Sequence, residues 1–135
     1  MATKQVIVMR NDLNMRKGKM IAQGSHASMA FLTRMGGFYQ SSLEDHRAFH
    51  NERMTNLDEA EEWMRNSFTK VCLYVNSESE LDEIYKKAQE AGLTVHMIID
   101  SGRTEFNGIP TKTCLAIGPH YSEKIDAITG HLKLL

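Results

Sequence analysis

Long apolar runs are missing from this chain. None approaches the roughly 18 residues that a membrane-spanning helix needs, and the start, MATKQVIVMR, lacks the apolar core and cleavage site of a secretory leader. Neither a span nor a signal peptide is therefore expected. Cysteine is scarce: Cys72 and Cys114 each sit inside an apolar run and read as small buried thiols rather than a bridge, which fits a reducing, cytoplasmic compartment. Charge excess is nearly absent, since the formal net charge of -1 argues against a non-specific polyanion binder. A phosphate-binding loop of the GxxxxGK[ST] type is excluded, because Leu13 replaces its first glycine and Met20 follows Lys19. No Ser-His-Asp nucleophile elbow and no Cys-His pair is present either. With no internal repeat or low-complexity tract, 135 residues fit one domain, 1–135, that buries a core without disulfides or metals.

The charge that is present is unevenly spread. Residues 1–40 carry Lys4, Arg10, Arg16, Lys17, Lys19 and Arg34 against Asp12 alone, a net +5, whereas residues 41–93 carry a net -6. The basic end is where a phosphate-bearing partner would bind, with a solvated face as the competing explanation.

That end also holds the most unusual stretch, residues 15–33, MRKGKMIAQGSHASMAFLT, which reads as a helix. Lys19, Gln23, His26 and Ala30 share one stripe, polar where it begins. Ala22, Ser25, Met29 and Thr33 form the neighbouring stripe, whose small residues would let the helix lie close to a sheet. A cation in the first turn, where the macrodipole is already positive, calls for a compensating anion. Taken singly, Lys19 reads as a snorkelling lysine and His26 as a core histidine; three polar groups in one stripe point to a site.

Before it, residues 5–9 (QVIVM) read as a buried strand. After it, Gly36 and Gly37 end the helix, and residues 35–56 resemble a loop insertion; His46 and His50 have zinc-helix spacing but no further ligand pattern, so they read as surface residues. Asn56 with Glu59 forms a capping box for a short helix anchored by Trp63, and Ser77 with Glu80 a stronger one for a helix stopped by Gly92. Residues 70–75, 94–99 and 113–117 read as strands, the last closed by Gly118 and Pro119, and Ser122 caps a final helix ended by Gly130. The order indicates an α/β layer sandwich with a mostly parallel sheet.

In open α/β sheets ligands bind beyond the carboxyl ends of parallel strands, here the turn at 11–19 and the loop at 100–104. With the first and third strands parallel and the fourth antiparallel, Lys19, Asp100, Thr104 and Thr113 meet at one rim. A carboxylate, an ammonium and two hydroxyls suffice to orient a water and hold an oxyanion. Individually, Asp100 could be a turn residue, Gly102 a positive-φ residue and the threonines ordinary strand formers.

RNDLNMRKGKMIAQGSHA, DSGRTE, TKTCLAIGP and IDAITGHLKLL, in that order, resemble the second type of peptidyl-tRNA hydrolase over most of the chain except residues 35–56. The resemblance implies a metal-free, cofactor-free cytoplasmic esterase on a three-layer α/β/α sandwich with a mixed four-stranded sheet. Its substrate would be peptidyl-tRNA, with no membrane partner, and a homodimer is left open. Lys19, Gln23 and His26 match the family's GKxxAQxxHA segment, Asp100, Gly102 and Thr104 its DxGxT segment, and Thr113 the threonine opening the last strand. On this reading Asp100 positions or activates water, Lys19 holds the oxyanion, Thr104 and Thr113 orient them, and His26 supports the reacting groups from behind, binds substrate or is itself the base, an imidazole's ordinary pKa of about 6.5 suiting that last task. Substrate contacts are assigned to Asn11 and Gln23, and phosphate contacts to Arg16, Lys17, Arg103 and Lys112. The chain departs from the pattern at Glu105, where many members have Gln, at the FNGIP loop and in the long 35–56 segment, which reads as a lid, a dimer contact or neither. The competing functions are a non-catalytic RNA- or protein-binding module and a small-ligand regulatory domain.

Overall fold

The computed structural model describes residues 1–33 and 56–135; the expectations for Gly36, Gly37, His46 and His50 fall outside them. Four strands, β1 (Thr3–Arg10), β2 (Lys70–Val75), β3 (Val95–Asp100) and β4 (Thr111–Tyr121), form one sheet in the order β2-β1-β4-β3. Helices α1 (Lys17–Thr33), α2 (Leu57–Arg65), α3 (Glu78–Glu90) and α4 (Ser122–Thr129) flank it. β1 pairs parallel with β2, and β4 runs antiparallel to both β1 and β3. The sheet is thus mixed, and three strands end at the rim where β4 begins.

Being central, β1 is buried on both faces, which explains its continuous apolar run. Val6 and Val8 point to one layer, where they join Leu73, Leu115 and Ile117 and receive Leu81, Ile84 and Ala88 of α3 and Ile125 and Ile128 of α4. Ile7 and Met9 point to the other, where Cys114, Ala116 and Ile98 meet Ala27 and Ala30 of α1. Trp63 anchors α2 beneath the same layer, edge-on to Phe31 at 5.9 Å, with its Nε1 donating to Thr69 O at 2.8 Å.

Several local expectations are corrected. The close face of α1 is Gln23, Ala27, Ala30 and Phe31, while Ala22, Ser25 and Met29 are exposed. Asn56 is no N-cap by side chain: it is left-handed at φ 58°, and its Oδ1 accepts instead from the Thr94 N–H and hydroxyl at 2.8 Å each, a tertiary bond winning over the local one. Ser77 does cap α3 through the Glu80 N–H, but Glu80 reaches back to the N–H of Asn76. Ser122 is the first residue of α4 rather than its cap. β4 does not close at Gly118 and Pro119, because the register against β1 shifts there: Val6 faces Ile117 and Lys4 faces His120, so Gly118 and Pro119 share a bulge opposite Gln5. At Gly118, with φ 93°, a Cβ would lie 2.9 Å from Lys4 O, so the bulge requires glycine. Cys114 is buried, whereas Cys72 is exposed on β2, beside α1 in an apolar groove of about 660 Å³.

Candidate active site

Lys19 is the third residue of α1, and the anion its position calls for is Asp100, the last residue of β3. Lys19 Nζ donates to Asp100 Oδ1 at 3.0 Å and to Thr104 Oγ1 at 3.3 Å. The two ionic side chains are 15% and 14% exposed, so this pair is far drier than the exposed helix pairs such as Lys86–Glu90. One turn on, Gln23 is buried and its Nε2 donates to the same Oδ1 at 3.2 Å.

Gln23 is itself held. Thr113 Oγ1 donates to Gln23 Oε1 at 2.6 Å, which fixes the end of the amide facing Asp100. A second bulge makes this possible: Ile98 pairs with Cys114 and Ile99 with Lys112, leaving Thr113 without a partner across the sheet and turned toward α1. Cys114 Sγ also donates to Gln23 O at 3.4 Å. Burial pushes that thiol up to about 12, so it is no nucleophile.

The other carboxylate oxygen, Oδ2, accepts from the Gly102 N–H at 2.9 Å, closing an Asx turn. Gly102 has φ 82°, and a Cβ there would come within 2.2 Å of Ile109 O, which accounts for the glycine in DSGRT. Burial pushes the Asp100 carboxyl up, but the Lys19 hydrogen bond, the Gly102 N–H, the Lys19 charge and the Gln23 amide outweigh it. Together they hold Asp100 below the usual carboxylate range.

Lys19, Gln23, Asp100, Thr104 and Thr113 therefore form one connected centre. His26 does not join it by a hydrogen bond: its exposed side chain lines a cavity beside Ile98 and Ile99. Asn11 is exposed at the same rim, its backbone N–H donating to Val75 O at 2.8 Å. Of the basic residues, Lys4 pairs with Asp126 and Arg10 with Asp12, while Arg16, Lys17 and Arg103 are exposed with no ion pair among the described residues. Lys112 points to the opposite layer, where its Nζ meets Asp82 Oδ1 of α3 at 2.9 Å; it is separated from the centre by the sheet. Sequence reasoning missed Phe106, whose ring centroid lies 5.9 Å from Lys19 Nζ. The available signal was a lone aromatic in the polar loop joining Asp100 to Thr113.

This arrangement offers a low-pKa carboxylate, a fixed ammonium and a hydroxyl at one half-buried edge, suited to polarising a carbonyl and orienting a water. Comparison with known proteins agrees. The family model described as peptidyl-tRNA hydrolase PTH2 matches residues 3–135. Peptidyl-tRNA hydrolase of Methanocaldococcus jannaschii is 45% identical over 132 residues, covering 98% of this chain and 99% of that one. The enzyme of the same name from Methanothermobacter thermautotrophicus is 42% identical with the same coverage. A probable peptidyl-tRNA hydrolase 2 of Dictyostelium discoideum is 38% identical over 131 residues, 97% of this chain and 54% of the other. With family segments matched from end to end and their polar residues gathered at one rim, the chain belongs to the peptidyl-tRNA hydrolase PTH2 family.

Proposed function

We propose that the protein, as one domain, hydrolyses the ester joining a peptide to the terminal adenosine of peptidyl-tRNA, and that Lys19 and Asp100 carry the reaction. The supporting observation is the largely buried Lys19–Asp100 pair, with the Gln23 amide donating to Asp100 and Thr104 accepting from Lys19. Asp100 orients the attacking water and takes its proton as the oxygen bonds to the acyl carbon. The Lys19 ammonium donates to the oxyanion of the tetrahedral intermediate. As the carbon–oxygen bond to ribose breaks, the proton passes from Asp100 to the departing ribose oxygen, and the free carboxylic acid and tRNA leave. Thr104 orients the Lys19 ammonium, and Thr113 acts through Gln23.

Arg16, Lys17 and Arg103 serve the phosphates, and Asn11 stands at the rim the substrate crosses. Lys112 has no part in this set, being committed to Asp82. His26 is a substrate contact beside the centre; as an alternative base it has its exposure in its favour and its lack of a link to Asp100 against it. The ribosome supplies this substrate, so the activity belongs in the cytoplasm. A binding module without catalysis would have no use for a largely buried ion pair held by two further donors, the Gln23 amide and the Gly102 N–H. The test is release of a labelled N-blocked aminoacyl group from tRNA, with and without chelator. Release that a chelator leaves unchanged is the expected result; tRNA binding without release refutes catalysis.

A further inference from the structure

The Lys19–Asp100 centre has two unlike flanks. On one side the β3–β4 loop turns back at Phe106, where the Ile109 N–H donates to Phe106 O at 2.9 Å and Asn107 and Gly108 have φ of 52° and 76°. Two successive positive φ values on Asn-Gly mark a type I′ turn. The Gly108 N–H donates to Gly102 O at 2.8 Å, tying this turn to the residue that holds Asp100. Phe106 is therefore a positioned side chain, half-buried against the cluster that contains Met9 and Met15. Its separation of 5.9 Å from Lys19 is the outer limit of a cation–π contact, and that ammonium is already directed at Asp100 and Thr104. The ring's place is thus not explained by Lys19. Arg103, on the same loop, and Arg16 and Lys17, at the start of α1, are exposed cations.

The other flank runs down between α1 and β3 as a cavity of about 330 Å³, with His26, Met29, Ile98 and Ile99 in its lining and no Lys or Arg among the described residues. A peptidyl-tRNA has two unlike ends at its ester: a flat base with a phosphate a few ångströms away, and an acyl chain with neither. A π-face on the same loop as the exposed Arg103 guanidinium fits the first, and a cavity walled by Met29, Ala30, Ile98 and Ile99, with no Lys or Arg among its described lining residues, fits the second.

We propose that Phe106 is the stacking platform for the terminal adenine of the substrate, so that the nucleotide lies on the Phe106 and Arg103 side and the acyl group on the Ile98 and Ile99 side. The proposal rests on the ester-cleaving reading above. It makes Phe106 a substrate-orienting residue that draws binding energy from the part of the substrate common to all peptidyl-tRNAs.

The experiment is steady-state kinetics of Phe106→Leu and Phe106→Trp on two N-blocked aminoacyl-tRNAs, one ending in adenosine and one whose last nucleotide is an abasic ribose. Loss of base stacking is expected to raise KM of Phe106→Leu about tenfold on the natural end, the loss falling on KM rather than kcat. Phe106→Trp, which keeps a flat face, holds KM near the parent value, and on the abasic end the parent and Phe106→Leu have the same KM. An unchanged KM in Phe106→Leu, a rise as large in Phe106→Trp, or a rise that persists on the abasic end overturns the assignment. Absence of turnover by the parent protein overturns the hydrolase reading and this one with it; parent turnover indifferent to residue 106 overturns this one alone.

Discussion

The two layers that cover the sheet are built to different rules. Toward α3 and α4 the sheet presents Val6, Val8, Leu73, Leu115 and Ile117, and the helices answer with the buried aliphatic side chains Leu81, Ile84, Ala88, Ile125 and Ile128, with Tyr85 partly buried against them. Toward α1 the apolar cluster sets Ile7 and Ile98 among smaller or more pliant side chains, Met9, Met15, Ala27, Ala30, Cys114 and Ala116, and at the rim it gives way to Gln23, Thr113, Lys19 and Asp100. The first layer keeps the fold together by area removed from water. The second has less of that and holds polar groups whose partners are each supplied by a different element: α1, the end of β3, the loop after it and the start of β4. A centre assembled from four elements is only as well placed as the sheet beneath it, so the aliphatic layer is what permits the polar one.

The division can be broken from either side. Lys19→Ala removes the oxyanion donor, and kcat on an N-blocked aminoacyl-tRNA should fall by roughly 10²–10³ while urea unfolding moves much less. Leu81→Ala, in the fully buried α3 contact, should do the reverse: a loss of about 3 kcal/mol in urea unfolding, with kcat per folded molecule within about twofold of the parent. Thr113→Val keeps the shape but leaves Gln23 Oε1 without its donor; about a tenfold loss in kcat and about 1 kcal/mol in stability are expected, so this residue registers in both assays. Smallest is the effect on salt dependence. Arg103→Ala should reduce the slope of log K for tRNA against log salt by about 0.7–0.9, and Lys112→Ala, on the aliphatic side and paired with Asp82, should leave it unchanged.

Much of this was legible before the coordinates. The run KVCLYV is β2 residue for residue, the Ser77 cap and the Gly92 stop frame α3, and the misplaced cation at Lys19 called for an anion that proves to be Asp100. What escaped had tertiary causes. Two bulges in β4 carry no signature in a strand's period of two: one turns Thr113 to the α1 side and leaves Lys112 facing α3, and the other lets the chain pass Pro119 without ending the strand. Asn56 has the composition of a cap and is instead drawn to Thr94, a contact 38 residues away. Cys72 lies in an apolar run like that of Cys114, yet it is exposed because the groove on the α1 side reaches it on β2.

The most direct test of the central claim is the pH dependence of kcat/KM for the parent protein, Asp100→Asn and His26→Ala on an N-blocked aminoacyl-tRNA. Asp100 is held below its ordinary value of 3.8, so its carboxylate is present above that value and lost only as pH falls through the lower folded one. The account predicts a parent profile that is flat from about pH 5.5 to 8, and a loss of about a hundredfold or more in Asp100→Asn at every pH in that range. Full turnover by Asp100→Asn, or an acid limb within that range in the parent that disappears in His26→Ala, would contradict it.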